Sequence, residues 1–293
     1  STATDGVVSF GRSLSIGSSS EQQTSLTVNA GPTSSSFTGD LNIATGEWRN
    51  KGTLNVSGNR TLSFAGNANL ATARSSGTNS NEVVQATVAL TNGARLNVGG
   101  GLTVGRWWDN SVSYEYSTAD ITVDPTSQLN VGGSLYLRGR GTTGAASYNL
   151  PLASTPTNGA VSFRGDLGIA DQPANSIALT IGSGSGTSLT YGGRLLIANN
   201  VGARGTLTID GARTVGFTSG NSADLATGGR WEFQGTYYDN VATLNLTNGS
   251  TLNLGGDMNL GNSSSLTPSA IAMTGASRLN VGGSLGINNT TLS

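Results

Sequence analysis

The chain has no cysteine and no histidine in its 293 residues. Without cysteine it forms no disulfide and no thiolate metal site, and without histidine it lacks the most common general base. Charged residues make up 11% of the sequence, and the formal net charge is −1. Because nucleic acid and anionic lipid attract clustered positive charge, we expect neither as a partner. No apolar run of about 18 residues is present, so we expect no membrane insertion.

What the sequence does contain is a phrase that recurs. Its four clearest copies are Leu96-Asn-Val-Gly-Gly-Gly-Leu-Thr-Val-Gly105, Leu129-Asn-Val-Gly-Gly-Ser-Leu-Tyr-Leu-Arg-Gly139, Leu252-Asn-Leu-Gly-Gly-Asp-Met-Asn-Leu-Gly261 and Leu279-Asn-Val-Gly-Gly-Ser-Leu-Gly-Ile287. A unit that cannot bury its apolar face alone must stack on copies of itself. The repeat therefore predicts the architecture.

Weaker copies extend the same phase along the chain. The anchor residues, each the first apolar residue in the second half of a copy, are Leu14, Leu41, Leu70, Leu102, Leu135, Leu167, Leu195, Leu225, Met258 and Leu285. Their mean spacing is about 30 residues, which we interpret as one coil of a solenoid. No composition break divides the chain, so we expect one domain over residues 1–293, with loop insertions near 71–83, 106–118, 139–158 and 228–241.

Within a copy the apolar period is two. Between Ala242 and Gly261, the pairs Leu244/Leu246, Leu252/Leu254 and Met258/Leu260 predict three short strands. Asn248-Gly249, Gly255-Gly256 and Gly261 separate these strands, and we expect the glycines to supply the positive φ of sharp corners. A β-sandwich or a closed barrel also gives many short strands, but neither requires one phrase at a constant phase.

The phrase Leu-Asn-Val-Gly-Gly-Xaa-Leu-Xaa-Val-Gly, together with Gly46-Glu-Trp-Arg-Asn-Lys-Gly-Thr-Leu-Asn-Val-Ser-Gly58, resembles the autotransporter-associated β-strand repeats and similar repeats of exosortase-sorted bacterial surface proteins. The resemblance covers most of the chain. It implies a secreted right-handed β-solenoid at a bacterial surface and carries over no catalytic residue. The full fold prediction is a single all-β, right-handed parallel β-solenoid (β-helix) of about ten coils with three strands per coil.

Aspartates precede the third strand in several copies, namely Asp40, Asp166, Asp224 and Asp257. A row of carboxylates on adjacent coils is able to bind calcium, whereas a corner aspartate that bonds its own backbone forms an Asx turn. Other copies carry Gly101, Ser134, Arg194 and Ser284 at this place, and no glycine-aspartate calcium nonapeptide is present. We predict turn chemistry, with no metal and no cofactor.

Asparagine recurs at the outward middle of the second strand, at Asn97 and Asn130 and again at Asn253 and Asn280. Stacked amides hydrogen-bond along a ladder of strands. We therefore predict a structural role for them, and ligand readout by an Asn/Thr face is the alternative.

Two insertions share an aromatic pattern, Trp107-Trp108-Asp109-Asn110 and Tyr237-Tyr238-Asp239-Asn240, and Tyr114 and Tyr116 follow the first. We interpret these loops as covering a solenoid face or contacting another subunit. The alternative is that their exposed rings stack on carbohydrate.

An enzyme is a further alternative, because parallel β-helices include polysaccharide lyases and hydrolases. That chemistry needs two or three convergent carboxylates, or a basic residue beside calcium-binding acids. The 16 acidic residues are scattered, and Lys51, the lone lysine, has no acidic cluster nearby in the sequence. We expect no enzymatic activity.

The ends of a solenoid expose unpaired backbone groups and an apolar cross-section, which monomeric solenoids cap with a polar helix or loop. We recognise no amphipathic helix before Val7, and the phrase continues close to Ser293. We therefore expect a head-to-tail homopolymer. The expected assembly interface comprises Val7, Val8, Phe10, Leu14, Ile16, Leu279, Val281, Leu285, Ile287 and Leu292.

The expected function is structural: a secreted, self-associating subunit of an extracellular bacterial filament or surface layer. The alternative is a passenger-type adhesin at the bacterial cell surface. It would bind glycans through Trp107, Trp108, Tyr114, Tyr116, Tyr237 and Tyr238.

Overall fold

A computed structural model describes residues 7–19, 21–29, 33–46, 49–72, 83–105, 116–138, 147–149, 160–171, 176–181, 188–218, 220, 222–233, 235–261 and 263–292. All regular structure in these residues is β-strand, and they contain no helix. The strands pair in parallel sheets, apart from one antiparallel hairpin. The fold is therefore all-β and consistent with a parallel β-helix, in agreement with the sequence prediction.

The chain forms two compact units. The described residues of the first unit lie within 7–135 and 147–163, and those of the second within 136–138 and 164–292. In both units the chain passes through three kinds of strand in turn, which we name the first, second and third strands of a repeat.

In the first unit, the first strands are β3 (Gln23–Val28), β6 (Lys51–Ser57), β9 (Val83–Thr91), β12 (Tyr116–Val123) and β15 (Ser147–Asn149). The second strands are β1 (Val7–Phe10), β4 (Ser34–Phe37), β7 (Thr61–Phe64), β10 (Arg95–Val98), β13 (Gln128–Val131) and β16 (Ala160–Phe163). The third strands are β2 (Leu14–Ile16), β5 (Leu41–Ile43), β8 (Ala68–Leu70), β11 (Leu102–Val104) and β14 (Leu135–Leu137), of which Leu135 belongs to this unit. Neighbours in each of these three series are hydrogen-bonded.

In the second unit, the first strands are β18 (Ser176–Ile181), β21 (Arg204–Asp210), β26 (Val241–Thr247), β29 (Ser269–Met273) and β32 (Thr290–Leu292). The second strands are β19 (Ser188–Tyr191), β22 (Thr214–Phe217), β27 (Thr251–Leu254) and β30 (Arg278–Val281). The third strands are β17 (Leu167–Ile169), β20 (Leu195–Ile197), β23 (Ala223–Leu225), β28 (Met258–Leu260) and β31 (Leu285–Ile287), and the antiparallel hairpin is β24 (Trp231–Phe233) with β25 (Thr236–Tyr238). Neighbours in each series are again hydrogen-bonded.

Equivalent residues of successive repeats lie directly opposite each other. Leu96 pairs with Leu129 between β10 and β13, and Leu252 pairs with Leu279 between β27 and β30. The constant phase that the repeated phrase predicts is therefore confirmed for these strands.

Two of the anchor positions are wrong by two residues. Leu41 pairs with Ala68 rather than Leu70, and Met258 pairs with Ala223 rather than Leu225. A shift of two residues keeps the same face of a strand inward, so the hydrophobic pattern alone does not distinguish the two registers. In consequence Asp224 lies in the middle of β23, opposite Asn259, and not at the corner before the strand.

The core is made of side chains that alternate along each strand. In β26, Leu244 and Leu246 are fully buried, while Asn245 between them and Thr243 before them are half-buried. The pairs Leu252/Leu254 and Met258/Leu260 are also buried. The three inward pairs predicted for this repeat are confirmed, and each fully buried leucine contributes about 2 kcal/mol of hydrophobic stabilisation.

In most repeats the corner after a third strand is occupied by a small residue with positive φ. Five of these corners carry a fully buried alanine with φ between 48° and 56°, namely Ala44, Ala71, Ala170, Ala198 and Ala226. The conformation costs about 1–2 kcal/mol for an L-residue, so the surrounding packing must hold it in place. Glycine takes the position at Gly105 and Gly261, and the positive φ predicted at Gly261 and at Asn248-Gly249 is confirmed.

The next first strand packs against this corner through a glycine. A Cβ added to Gly205 in β21 would lie 2.6 Å from Ile197 Cγ2 and 3.1 Å from the Ala198 nitrogen. Gly52 in β6 has the same surroundings, with Ile43 Cγ2 at 2.6 Å and the Ala44 nitrogen at 3.0 Å. The two units therefore use one corner geometry.

We predict that Gly205→Ala lowers the free energy of unfolding by about 2 kcal/mol, because the new methyl group overpacks the corner. Gly216→Ala in β22 is the matched control, since a Cβ there meets nothing nearer than Thr190 Oγ1 at 3.9 Å. We expect the control to change stability by less than about 0.5 kcal/mol. Urea unfolding measures both variants, and equal stabilities would contradict the packing of this strand on the corner.

Candidate functional site: the two sheet edges and the Tyr237 hairpin

The C-terminal edge consists of β30, β31 and β32, each the last strand of its sheet. Leu285, Ile287 and Leu292 are 47%, 42% and 57% exposed, and Leu279 and Val281 are half-buried. These five residues are the C-terminal half of the interface expected from the sequence. The edge therefore presents apolar side chains from all three sheets.

The exposure of this edge arises from its position and not from its sequence. The tetrapeptide Arg-Leu-Asn-Val occurs in β10, where Leu96 and Val98 are each 3% exposed, and again in β30, where its apolar residues are half-buried. The tripeptide Leu-Gly-Ile occurs in β17, where Leu167 and Ile169 are 0% exposed, and again in β31. The strands β30 and β31 of the C-terminal edge thus have the same sequences as strands that are buried in the core.

The N-terminal edge consists of β1, β2 and β3, each the end strand of its sheet. Phe10 is 46% exposed and stacks on Phe37 at 4.7 Å, which in turn stacks on Phe64 at 4.6 Å. Val8 and Leu14 are half-buried, whereas Ile16 is buried at 2% exposure. Of Val7 the structure describes only the backbone, which begins β1.

A cavity of about 580 Å³ opens at this edge. Its apolar lining is Phe10, Leu14, Leu26, Val28, Phe37 and Leu62. These side chains come from first, second and third strands, so the cavity lies where the inward faces of the three sheets of this unit meet.

Corner aspartates accept hydrogen bonds from the backbone of the next repeat. Asp40 Oδ1 accepts from the Asn67 nitrogen at 2.7 Å, and Asp257 Oδ1 accepts from the Ser284 nitrogen at 2.7 Å. Asp166 does the same for the Arg194 nitrogen at 2.6 Å. Each of these three carboxylates therefore binds the backbone of the following repeat, and the Asx-turn prediction is wrong for Asp40 and Asp257.

The glycine in the middle of the corner provides space for this contact. Neither Gly255 nor Gly256 has positive φ, so the expectation of positive φ is wrong at this pair. The pairs Gly99-Gly100, Gly132-Gly133 and Gly282-Gly283 likewise lack positive φ. A Cβ on Gly283 would collide with Asp257 Oδ1, and one on Gly66 would collide with Asp40 Oδ1. Sequence reasoning identified the glycines and the aspartates, but not that one makes room for the other.

The outward asparagines form the predicted ladders. Asn130 Nδ2 donates to Asn97 Oδ1 at 3.0 Å, and Asn280 Nδ2 donates to Asn253 Oδ1 at 2.7 Å. Ser162 Oγ extends the first ladder by donating to Asn130 Oδ1 at 3.1 Å. These side chains link neighbouring repeats, which confirms their structural role.

The hairpin β24–β25 carries one of the predicted aromatic loops. Tyr237 is 53% exposed, and the Arg230 guanidinium lies 4.1 Å from its ring centroid in a cation–π arrangement, while Tyr238 is half-buried. Trp107, Trp108 and Tyr114 lie outside the described residues, and Tyr116 is described only as the first backbone position of β12. The structure thus places Tyr237 and Tyr238 alone among the aromatic candidates.

Asp239 fixes the base of this hairpin. Its carboxylate accepts hydrogen bonds from the backbone nitrogens of Leu266 at 3.1 Å and Thr267 at 3.0 Å and from Thr267 Oγ1 at 2.6 Å, and it lies 3.4 Å from Arg230 Nε. Burial by itself raises the pKa of Asp239, but the hydrogen bonds from Thr267 and Leu266 and the Arg230 charge outweigh it, so the pKa lies below its ordinary value.

Among the described residues, no group of three or more acidic, histidine or cysteine side chains is placed to hold a metal ion. The described part of the chain also has no helix long and apolar enough to cross a membrane. Comparisons with protein-family models, with curated proteins and with solved structures found no match to this chain.

We predict that Asp239→Asn lowers the free energy of unfolding at pH 7 by about 2 kcal/mol, because it removes the charged acceptor of three hydrogen bonds. A carboxylate with a depressed pKa stabilises the fold above its unfolded pKa, near the ordinary value of 3.8. This stabilisation is lost as the pH falls through the lower folded pKa. The stabilities of the native chain and the variant should therefore converge below about pH 3.8 in urea titrations at successive pH values.

The partner of Asp239 provides the control for this prediction. Thr267→Val removes the Oγ1 donor and should lower stability at pH 7, whereas Thr267→Ser keeps the donor and should not. A difference between Asp239→Asn and the native chain that stays constant down to pH 2 would show that the carboxylate charge is not involved.

Proposed function

We propose that the chain is a structural protein of the bacterial cell surface whose copies associate end to end through the two edges. In this proposal the fold is a right-handed β-solenoid of about ten coils, and the C-terminal edge of one copy covers the N-terminal edge of the next. Secretion and the surface location rest on the resemblance of the repeated phrase to bacterial surface repeats. No cofactor takes part.

The proposal rests on one observation: a sequence that is buried in a core strand occurs again in an exposed edge strand. Leu285 and Ile287 are about half exposed although the same Leu-Gly-Ile sequence is fully buried in β17. Exposed, contiguous apolar surface favours association, because removing it from water gains about 25 cal/mol per Å². Covering β30–β32 with further strands would return these residues to the environment that their sequence has elsewhere.

The two edges also expose the same three kinds of strand. Each exposes one first, one second and one third strand, and the unpaired N–H and C=O groups of such strands are templates for further pairing. The cavity at the N-terminal edge would receive the apolar side chains of the C-terminal edge. Pairing unlike edges is a heterologous contact, which propagates into a fibre if it does not close into a ring.

We predict that Leu292→Asp weakens self-association at least about tenfold, because docking would bury an uncompensated carboxylate. The monomer should stay folded, since Leu292 is 57% exposed. Leu266→Asp is the matched control in the same unit: Leu266 is 72% exposed and lies outside both edges. Sedimentation velocity over a concentration series measures the association of each variant.

The outcomes of this experiment are distinct. Association of the native chain that Leu292→Asp weakens and Leu266→Asp leaves unchanged supports the proposal. A native chain that is monomeric at every concentration, or equal effects of the two substitutions, would show that these edges do not mediate association.

Glycan binding through the hairpin is a second candidate, favoured by the exposed Tyr237 ring beside Arg230. Aromatic rings with one open face stack on sugar rings, and a guanidinium donates to sugar hydroxyl groups. We expect Tyr237→Ala to abolish any retention of the chain on a glycan array without changing its association. Retention that survives this substitution would place the glycan elsewhere.

A further inference from the structure

The corner between a second and a third strand is three residues long in most repeats, and its middle residue is glycine with one exception. The glycines are Gly39, Gly66, Gly100, Gly133, Gly165, Gly193, Gly256 and Gly283. The exception is Arg12, in the corner Gly11-Arg12-Ser13 at the N-terminal edge. Arginine does occur beside the middle position, at Arg164 and Arg194, so the restriction concerns the middle residue itself.

The middle glycine is required by the preceding repeat. A Cβ on Gly133 would lie 2.8 Å from the carbonyl carbon of Gly100 and from the nitrogen of Gly101. A Cβ on Gly39 would lie 2.7 Å from the Ser13 nitrogen and would also collide with Ser13 Oγ. These glycines do not have positive φ, and the obstructing atoms include backbone, so a side chain at this position overpacks the contact wherever another repeat lies beneath it.

The remaining positions of the two edges fit each other in the register used between repeats. Continuing the observed pairing β1–β4 and β27–β30 places Ser9 over Asn280 and Phe10 over Val281. The first contact repeats the observed donation from Ser162 Oγ to Asn130 Oδ1. The third strands likewise bring Leu14 over Leu285 and Ile16 over Ile287, so apolar positions meet apolar positions.

We propose that Arg12 limits the end-to-end association of this chain by obstructing that register at one corner. In the junction Arg12 takes the place of the middle glycine, and its Cβ meets Ser284 and Gly283 of the neighbouring copy as a Cβ on Gly39 would meet Ser13. The inference rests on the proposed association. Arg12 is a steric obstruction in a junction that is otherwise complementary. Natural sheets also use residues on their edge strands to limit pairing with other chains.

A single substitution tests this proposal. Arg12→Gly converts Gly11-Arg12-Ser13-Leu14 into the Gly-Gly-Ser-Leu sequence found at 132–135 and 282–285. It should tighten association about tenfold or more, because it removes an overpacked contact. Arg12→Ala is the matched control: it removes the charge and the long side chain but keeps the Cβ, so it should stay within about threefold of the native chain. The dissociation constants come from sedimentation velocity.

The register is tested by cross-linking, for which a chain without cysteine is well suited. In the Arg12→Gly background, the double variant Ser9→Cys with Asn280→Cys should form disulfide-linked multimers under mild oxidation. The variant with Ser9→Cys alone should not. Covalent dimers from Ser9→Cys alone would show that like edges meet and would overturn the proposal.

The result separates this inference from the proposed function. One outcome is that the native chain associates, Leu292→Asp weakens the association, and Arg12→Gly and Arg12→Ala have equal dissociation constants. In that case the edges pair, but Arg12 does not limit the association. If the native chain is monomeric over the whole concentration range, the proposed association of the native chain is wrong, whether or not Arg12→Gly associates.

Discussion

The close approach of successive repeats at their corners is the constraint on which the rest of this structure depends. Paired strands are about 4.8 Å apart, and at the corner before the third strand that distance leaves no room for a side chain on the middle residue. The space is taken by an acceptor from the preceding repeat, such as Asp257, whose carboxylate binds the Ser284 nitrogen. This contact fixes the register, and the amide ladders and the columns of buried leucine follow from the same register.

The sequence was sufficient to predict the strands, because an apolar period of two and a repeated phrase are local properties. It was not sufficient to align every repeat. Ala68 and Ala223 are the first inward-facing residues of their strands, where leucine was expected. In each strand a leucine two residues later, Leu70 or Leu225, fits the same apolar pattern and was aligned instead. The position of Gly66 in the middle of its three-residue corner gives the correct alignment of β8, which begins at Ala68. The corner before Ala223 is longer, and a Cβ on its Gly220 would meet no atom within 4 Å, so this glycine does not mark the alignment of the strand as Gly66 does.

The candidate site was predictable in outline and not in detail. Apolar residues at both ends of the repeat series suggested the edges, but exposure depends on which strands have a neighbour, as the two copies of Arg-Leu-Asn-Val show. Ile16 was expected at the interface and is buried within its own unit. The contact between Asp166 and the Arg194 nitrogen joins residues 28 positions apart and appears only when the repeats are stacked.

The central claim is that both edges are covered when copies of the chain meet. Hydrogen–deuterium exchange measured at increasing protein concentration tests it most directly, because it reports each strand separately. The account predicts that backbone amides of β1–β3 and β30–β32 become protected as concentration rises, while those of β10 and β27 do not change. Exchange at both edges that is independent of concentration would contradict it.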